Sequence, residues 1–134
     1  MFRDPQRLLA ALLRLGGSVL LLAFLAMFLP VEWMAATHQW LGMGQFPRMA
    51  VVDYLARSIA ALYGFHGVLM FIVARDPVRF APIVRFIGIM NITLGMILIA
   101  IDLYSGMPWW WTAGEGPPII AFGIVVLLLS RSRA

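Results

Sequence analysis

Asp53 and Arg57 stand four residues apart, Tyr63 and His66 follow within one short stretch, and Asn91, Asp102 and Glu115 complete a sparse polar set in an oily chain. A carboxylate and a guanidinium at i and i+4 share one helix face and can pair. Arginine's forked donors can also serve two carboxylates at once, so Arg57 is suited to bridge Asp53 and Asp102. His66 and Asn91 fall at comparable depth on neighbouring apolar runs, where a hydrogen bond between them would be worth about 1 kcal/mol. Two chemistries stay open for this set. One is a salt-bridge cluster that ties helix ends together. The other is a small polar cavity or ligand site, open to the outside, formed by Asp53, Arg57, Tyr63, His66, Asn91, Asp102 and Glu115.

Other chemistries lack their parts. The chain has no cysteine, which removes disulfides, thiolate metal sites and thiol redox steps. Its two histidines, His38 and His66, show neither HxxxH nor HExxH spacing and fall at different depths. No metal or haem site is therefore assigned. No phosphate-cradling glycine loop, nucleophile elbow or paired-carboxylate signature is present, so no catalytic residue is assigned either.

What positions the polar set is a strongly apolar framework. Hydrophobic residues make up 63% of 134 residues and charged residues 12%, and the mean hydropathy is +0.93. A soluble domain carries about a quarter charged residues, so this chain lacks the polar surface to face water. The sequence pI is near 10.7, yet its arginines form short clusters between apolar runs. That pattern answers anionic lipid headgroups and excludes a nucleic-acid partner.

Four runs are predicted to cross a membrane as helices, over approximately 11–31, 49–74, 84–104 and 117–131. A helix needs about 20 residues to cross about 30 Å of hydrocarbon. The expected fold is an all-α, single-domain bundle of four transmembrane helices with short outer interfacial segments. Arg3, Arg7, Arg14, Arg75, Arg79, Arg85, Arg131 and Arg133 fall on one side, against Asp4 and Asp76. The other side holds Glu32, Asp53, Asp102 and Glu115, against Arg48 and Arg57. The positive-inside rule then predicts a multi-pass inner-membrane protein with both termini cytoplasmic. "VEWMAATHQW" offers no clean small-x-small cleavage site, so the first run is expected to remain as a span.

Trp33, Trp40, Trp109, Trp110 and Trp111 all fall on the outer side as interfacial anchors. Indole rings favour headgroup depth, where an apolar body and a polar N–H are both satisfied. The fourth run is short: fourteen residues from Pro117 to Ser130 span roughly 21 Å. Gly116-Pro117-Pro118 reads as a helix start. A re-entrant Trp segment meeting a recessed helix end would close the gap and carry Glu115 below the headgroups. The first connection fits either a short surface helix or an irregular loop. As a helix, it would put Trp33, Thr37, Trp40 and Leu41 on one face and turn Glu32, His38 and Gln39 to water.

Gly88, Asn91 and Gly95 form a small and polar seam on the third run, and Ala60 with Gly64 does the same on the second. Small-xxx-small spacing lets backbones approach closely, which predicts that these two helices form the packed centre. It also allows a homodimer. "RDPQR" at 3–7 recurs as "RDPVR" at 75–79. This is either a parallel repeat or twice the same local border signal of arginine, capping aspartate and proline.

At "YLARSIAALYGFHG", "VRFIGIMNITLGM" and "DLYSGMPWWWTAGEGPP" the chain resembles small bacterial four-helix membrane proteins of the DoxX-like neighbourhood, over residues 54–118. That resemblance implies a four-helix membrane bundle and an association with quinone-linked redox complexes. The expected function is an accessory or assembly subunit of a membrane complex, without a catalytic site and with membrane lipids and other subunits as partners. The alternatives are a quinone- or lipid-binding protein and a small dimeric transporter. Quinone is the one cofactor in view.

Overall fold

The computed structural model describes residues 4–131, and among these it is all-α, with no strand. Five helices follow in order: α1 (Pro5–Leu25), α2 (Val31–Trp40), α3 (Ala50–Val73), α4 (Ala81–Ser105) and α5 (Trp109–Arg131). A single 3₁₀ turn, Ala26–Phe28, extends α1. Four helices, with α1 taken through Phe28, are long and apolar enough to cross a membrane, at 23 to 25 residues. At about 1.5 Å per residue each is at least about 34 Å long.

Local chemistry sets the boundaries. Asp4 accepts the backbone N–H of Gln6 at 3.0 Å, and Pro5 takes the first helical position, where no hydrogen bond is lost. Pro30 ends the run that began there. It forces Leu29 into extended backbone, with ψ of 141°, and its own carbonyl then starts α2 by accepting from Trp33 and Met34. The second RDP motif behaves differently. Asp76 accepts the N–H of Arg79 at 3.0 Å and closes a turn upstream of α4, which begins only at Ala81. The two copies share a capping habit and not a helix start.

The α4–α5 connection corrects the sequence reading of the fourth span. Gly106 is left-handed, with φ of 67°. Its N–H bonds the carbonyl of Leu103 and that of Met107 bonds Asp102, the paired pattern that ends helices at glycine. Pro108 follows, and its carbonyl accepts from Trp111 and Thr112. Helix α5 therefore starts at Trp109, eight residues before the expected 117. Pro117 and Pro118 lie inside the helix. They deprive Ala113 and Gly114 of their helical donors, and Gly114 leaves room for the ring of Pro118. The span is full length, and neither a dipping Trp segment nor a recessed helix end is needed. The three tryptophans wind around the first turn: Trp109 is 81% exposed and Trp110 37%.

The chain divides into two compact units, residues 14–72 and residues 4–13 with 73–131. In the first, α1 and α3 run antiparallel and meet at Gly17 and Gly67. A Cβ on Gly67 would lie 2.8 Å from the carbonyl oxygen of Gly17, and a Cβ on Gly17 would lie 3.0 Å from that of Gly67. Gly64 lies against Phe24 of α1. In the second unit, α4 and α5 are antiparallel through two such contacts, Gly88 with Gly123 and Gly95 with Gly116. The small seams are thus real, but α4's faces α5 and α3's faces α1. Small spacing marks a face for close approach and does not choose the helix that fills it. The large, fully buried side chains Leu9, Leu13, Val73, Val84, Ile87 and Val126 all belong to this second unit.

Gly123→Ala should lower the stability of the detergent-solubilised protein by about 1–3 kcal/mol through overpacking, because the new methyl would sit 2.6 Å from the Gly88 oxygen. Gly114→Ala, where nothing lies within 4 Å, should be neutral or stabilising by about 0.5 kcal/mol. Thermal unfolding of the two variants side by side checks both signs.

Candidate functional site

Two polar clusters gather the residues singled out above, one in each unit. The first is built on Arg57. Its Nε donates to both oxygens of Asp53, at 2.9 and 3.1 Å. One terminal nitrogen donates to the carbonyl of Met27 and the other to that of Leu29, at 3.2 Å. These carbonyls belong to the frayed end of α1, where Pro30 has no N–H to continue the ladder. Arg57 therefore caps α1 from α3, and Asp53, one turn before it, holds the guanidinium in place. Both side chains are part-exposed, at 31% and 36%. Main-chain oxygens take the two terminal donors that the sequence reading reserved for a second carboxylate.

The connection after α2 also differs from expectation. It is a helix, as one of the two readings had it, and Thr37 donates to the Trp33 carbonyl one turn back. His38, however, does not turn to water. It is half-buried, its Nδ1 lies 3.2 Å from the carbonyl oxygen of Gly44, and its ring meets Phe46 edge-on at 5.5 Å. Trp40 is 84% exposed. In the same unit, Tyr63 and His66 lie in the second half of α3, both half-buried.

The second cluster closes the α4–α5 hairpin. Asp102 is 5% exposed, and its Oδ2 has no hydrogen-bond partner. Glu115 lies within electrostatic range of Asp102 and accepts from Trp111 Nε1 at 3.0 Å. Thr112 contributes a buried hydroxyl that also lacks a partner. The seam explains why these groups meet. Val84, Gly88, Asn91, Gly95 and Asp102 are buried on α4 at four- and three-residue steps, so all face the same way. Gly116 and Gly123 do this for α5. One heptad beyond the Gly95–Gly116 contact, the register brings Asp102 to the level of the first turn of α5. Asn91, further down the seam, gives one amide hydrogen to the Ile87 carbonyl of its own helix at 2.8 Å.

Thr112 was missed from sequence, and the only signal was its four-residue step before Gly116. The carbonyls of Met27 and Leu29 carried no signal, because a main-chain acceptor has no residue type. Among the described residues no group of three or more His, Cys, Asp or Glu side chains could hold a metal. No family model, no curated protein and no solved structure matches the chain.

Arg57→Ala should cost about 2 kcal/mol of stability, since charged hydrogen bonds are worth about 1.5–3 kcal/mol and partial exposure reduces this. Asp53→Ala should cost less, about 0–1 kcal/mol, because the arginine keeps its carbonyl acceptors. Arg57→Lys should recover only part of the loss, since an ammonium cannot span both carbonyls as a fork does. Denaturation in mixed micelles ranks the three variants.

Proposed function

We propose that the chain is a four-span protein of a bacterial inner membrane, with both termini cytoplasmic, acting as an accessory or assembly subunit of a membrane complex. The observation that carries this reading is the distribution of side chains. Leu62 and Phe65 of α3, Phe86 of α4 and Leu128 of α5 are 60 to 70% exposed. Outward faces of that kind suit lipid or the helices of another subunit. Meanwhile Arg57, Asn91 and Trp111 direct hydrogen-bond donors to partners within the protein. Such a polar inventory ties helices together and leaves little for catalysis.

The orientation rests on the arginine asymmetry between the connections. Trp33, Trp40 and Trp109 to Trp111 are assigned to the outer headgroup level on the same reasoning. The resemblance of residues 54–118 to DoxX-like proteins is in keeping with a subunit of a redox complex. Purification in mild detergent should bring down at least one other membrane protein in a fixed ratio. A lone monomer with a ligand between its helices would count against the reading. A fluorescent reporter fused after Ala134 should be active in the cytoplasm, and an alkaline phosphatase inserted between residues 41 and 49 should be active outside; the reverse pattern overturns the orientation.

Asp102 favours a second reading, a quinone-binding protein. Its unpartnered carboxylate oxygen accepts and does not donate, so the ligand it fits carries a donor, such as the hydroxyl of a reduced quinone. Asp102→Asn should weaken retention of a quinol analogue about tenfold, while Asp53→Asn leaves it unchanged. Equal retention by both variants would remove this reading.

A further inference from the structure

A second polar opening lies at the other end of α4, remote from the hairpin. It is a cavity of about 170 Å³ lined by Gln6 and Leu9 of α1, Pro77, Val78, Ala81 and Arg85 around the start of α4, and Ser130 of α5. All these residues belong to one compact unit. At about 30 Å³ per water this is room for five or six waters. It is smaller than the roughly 300–1,000 Å³ of sites for drug-sized ligands, so it suits a compact polar group and not a whole quinone.

Its polar groups are of two kinds. Arg85 is exposed and supplies a guanidinium at the rim. Helix α4 presents its first turn here, and its N-cap position, Phe80, makes no side-chain capping bond, so a positive helix end faces the same space. Both features ask for an anion. The amide oxygen of Gln6 is buried without a hydrogen-bond partner, and an acceptor asks for the opposite, an N–H or O–H donor. Ser130 is already engaged, donating to the Leu127 carbonyl at 2.8 Å. A single ligand that meets both demands carries an anionic phosphodiester and, a few bonds away, a hydrogen-bond donor.

We propose that this cavity is a phospholipid headgroup site, with the phosphodiester on Arg85 and the first turn of α4 and the headgroup's terminal donor on the Gln6 amide oxygen. The ligands it selects are ethanolamine and glycerol phospholipids, whose headgroups end in N–H or O–H. Choline phospholipids share the phosphodiester but have no such donor and are discriminated against. Acyl chains leave the cavity along the apolar surface, so only the headgroup is recognised. The proposal rests on the membrane-spanning reading and not on which way the termini face.

The test is native mass spectrometry of the delipidated protein titrated with phosphatidylethanolamine, phosphatidylglycerol and phosphatidylcholine of identical chains. Glycerophosphoethanolamine and inorganic phosphate serve as chain-free probes. The ethanolamine and glycerol lipids should be retained at least about fivefold better than the choline lipid. Arg85→Ala should weaken all three by a similar factor, whereas Gln6→Leu should abolish the preference and leave the choline lipid unchanged. Retention of the chain-free probes at the lipid concentrations would assign the site to a soluble phosphate compound and overturn the lipid claim. Equal retention of all three lipids by the unaltered protein, which needs no variant to fold, overturns the donor claim, as does a preference that survives in Gln6→Leu. A protein that is soluble without detergent would instead defeat the membrane reading itself, so the two failures are distinguishable.

Discussion

A peptide group that loses its helical partner away from water has little to replace it with, and an unsatisfied one costs several kcal/mol. Every departure from ideal helix in this chain answers that constraint locally. Where Pro30 stops α1, the free carbonyls of Met27 and Leu29 are met by a guanidinium from α3. Where α4 ends, Gly106 folds its own N–H and that of Met107 back onto the last carbonyls. Where Pro117 and Pro118 interrupt α5, the carbonyls deprived of donors lie on exposed residues of its first two turns. The irregular backbone thus falls at helix ends or close to them.

The same constraint decides how helices are held. Hydrocarbon tails are as apolar as leucine, so burying leucine between helices gains little over leaving it in lipid. What distinguishes a helix neighbour from lipid is close backbone approach. The paired glycines provide it, Gly17 with Gly67 in one unit and Gly88 with Gly123 and Gly95 with Gly116 in the other. Large side chains are then released to the outside, which is why Phe65, at 70%, is more exposed than many polar residues of a soluble protein. Composition, packing and exterior are one fact seen at three scales.

That logic also explains what could be seen in the sequence. The four long helices were legible because length and hydropathy are local properties, and the hairpin glycine and prolines lie in plain view. The start of α5 was not, because Gly116-Pro117-Pro118 is also a sound helix opening; only the structure shows that Pro108 had already opened it. The seam on α4 was legible as a face but assigned to the wrong neighbour, since periodicity carries no information about which helix covers a stripe. Within the polar set, the Asp53–Arg57 pair followed from its spacing. The carbonyl partners of Arg57 did not, and neither did the orphaned hydroxyl of Thr112. His38 was misplaced because a short helix predicts a face, while the loop that folds back onto it, with positive-φ turns at Gly42 and Gly44, is set by glycine geometry that sequence marks only as a break.

The positions of the unpaired groups carry the final argument. Among the described residues the buried side-chain atoms without partners belong to Gln6, Asp102 and Thr112. Along α4, Arg85, which shares the Gln6 cavity, and Asp102 are seventeen residues apart, about 25 Å. That separation approaches the hydrocarbon thickness of about 30 Å. Between them lies Asn91, one of whose donors is engaged within its own helix. An orphaned polar atom in mid-membrane would be a pure cost. At the two ends of a span it is an invitation, because headgroups, water and soluble ligands can all reach it there. A protein whose only spare hydrogen-bonding capacity lies at both borders is built to be gripped at its ends by what surrounds it, and to conduct no chemistry through its middle.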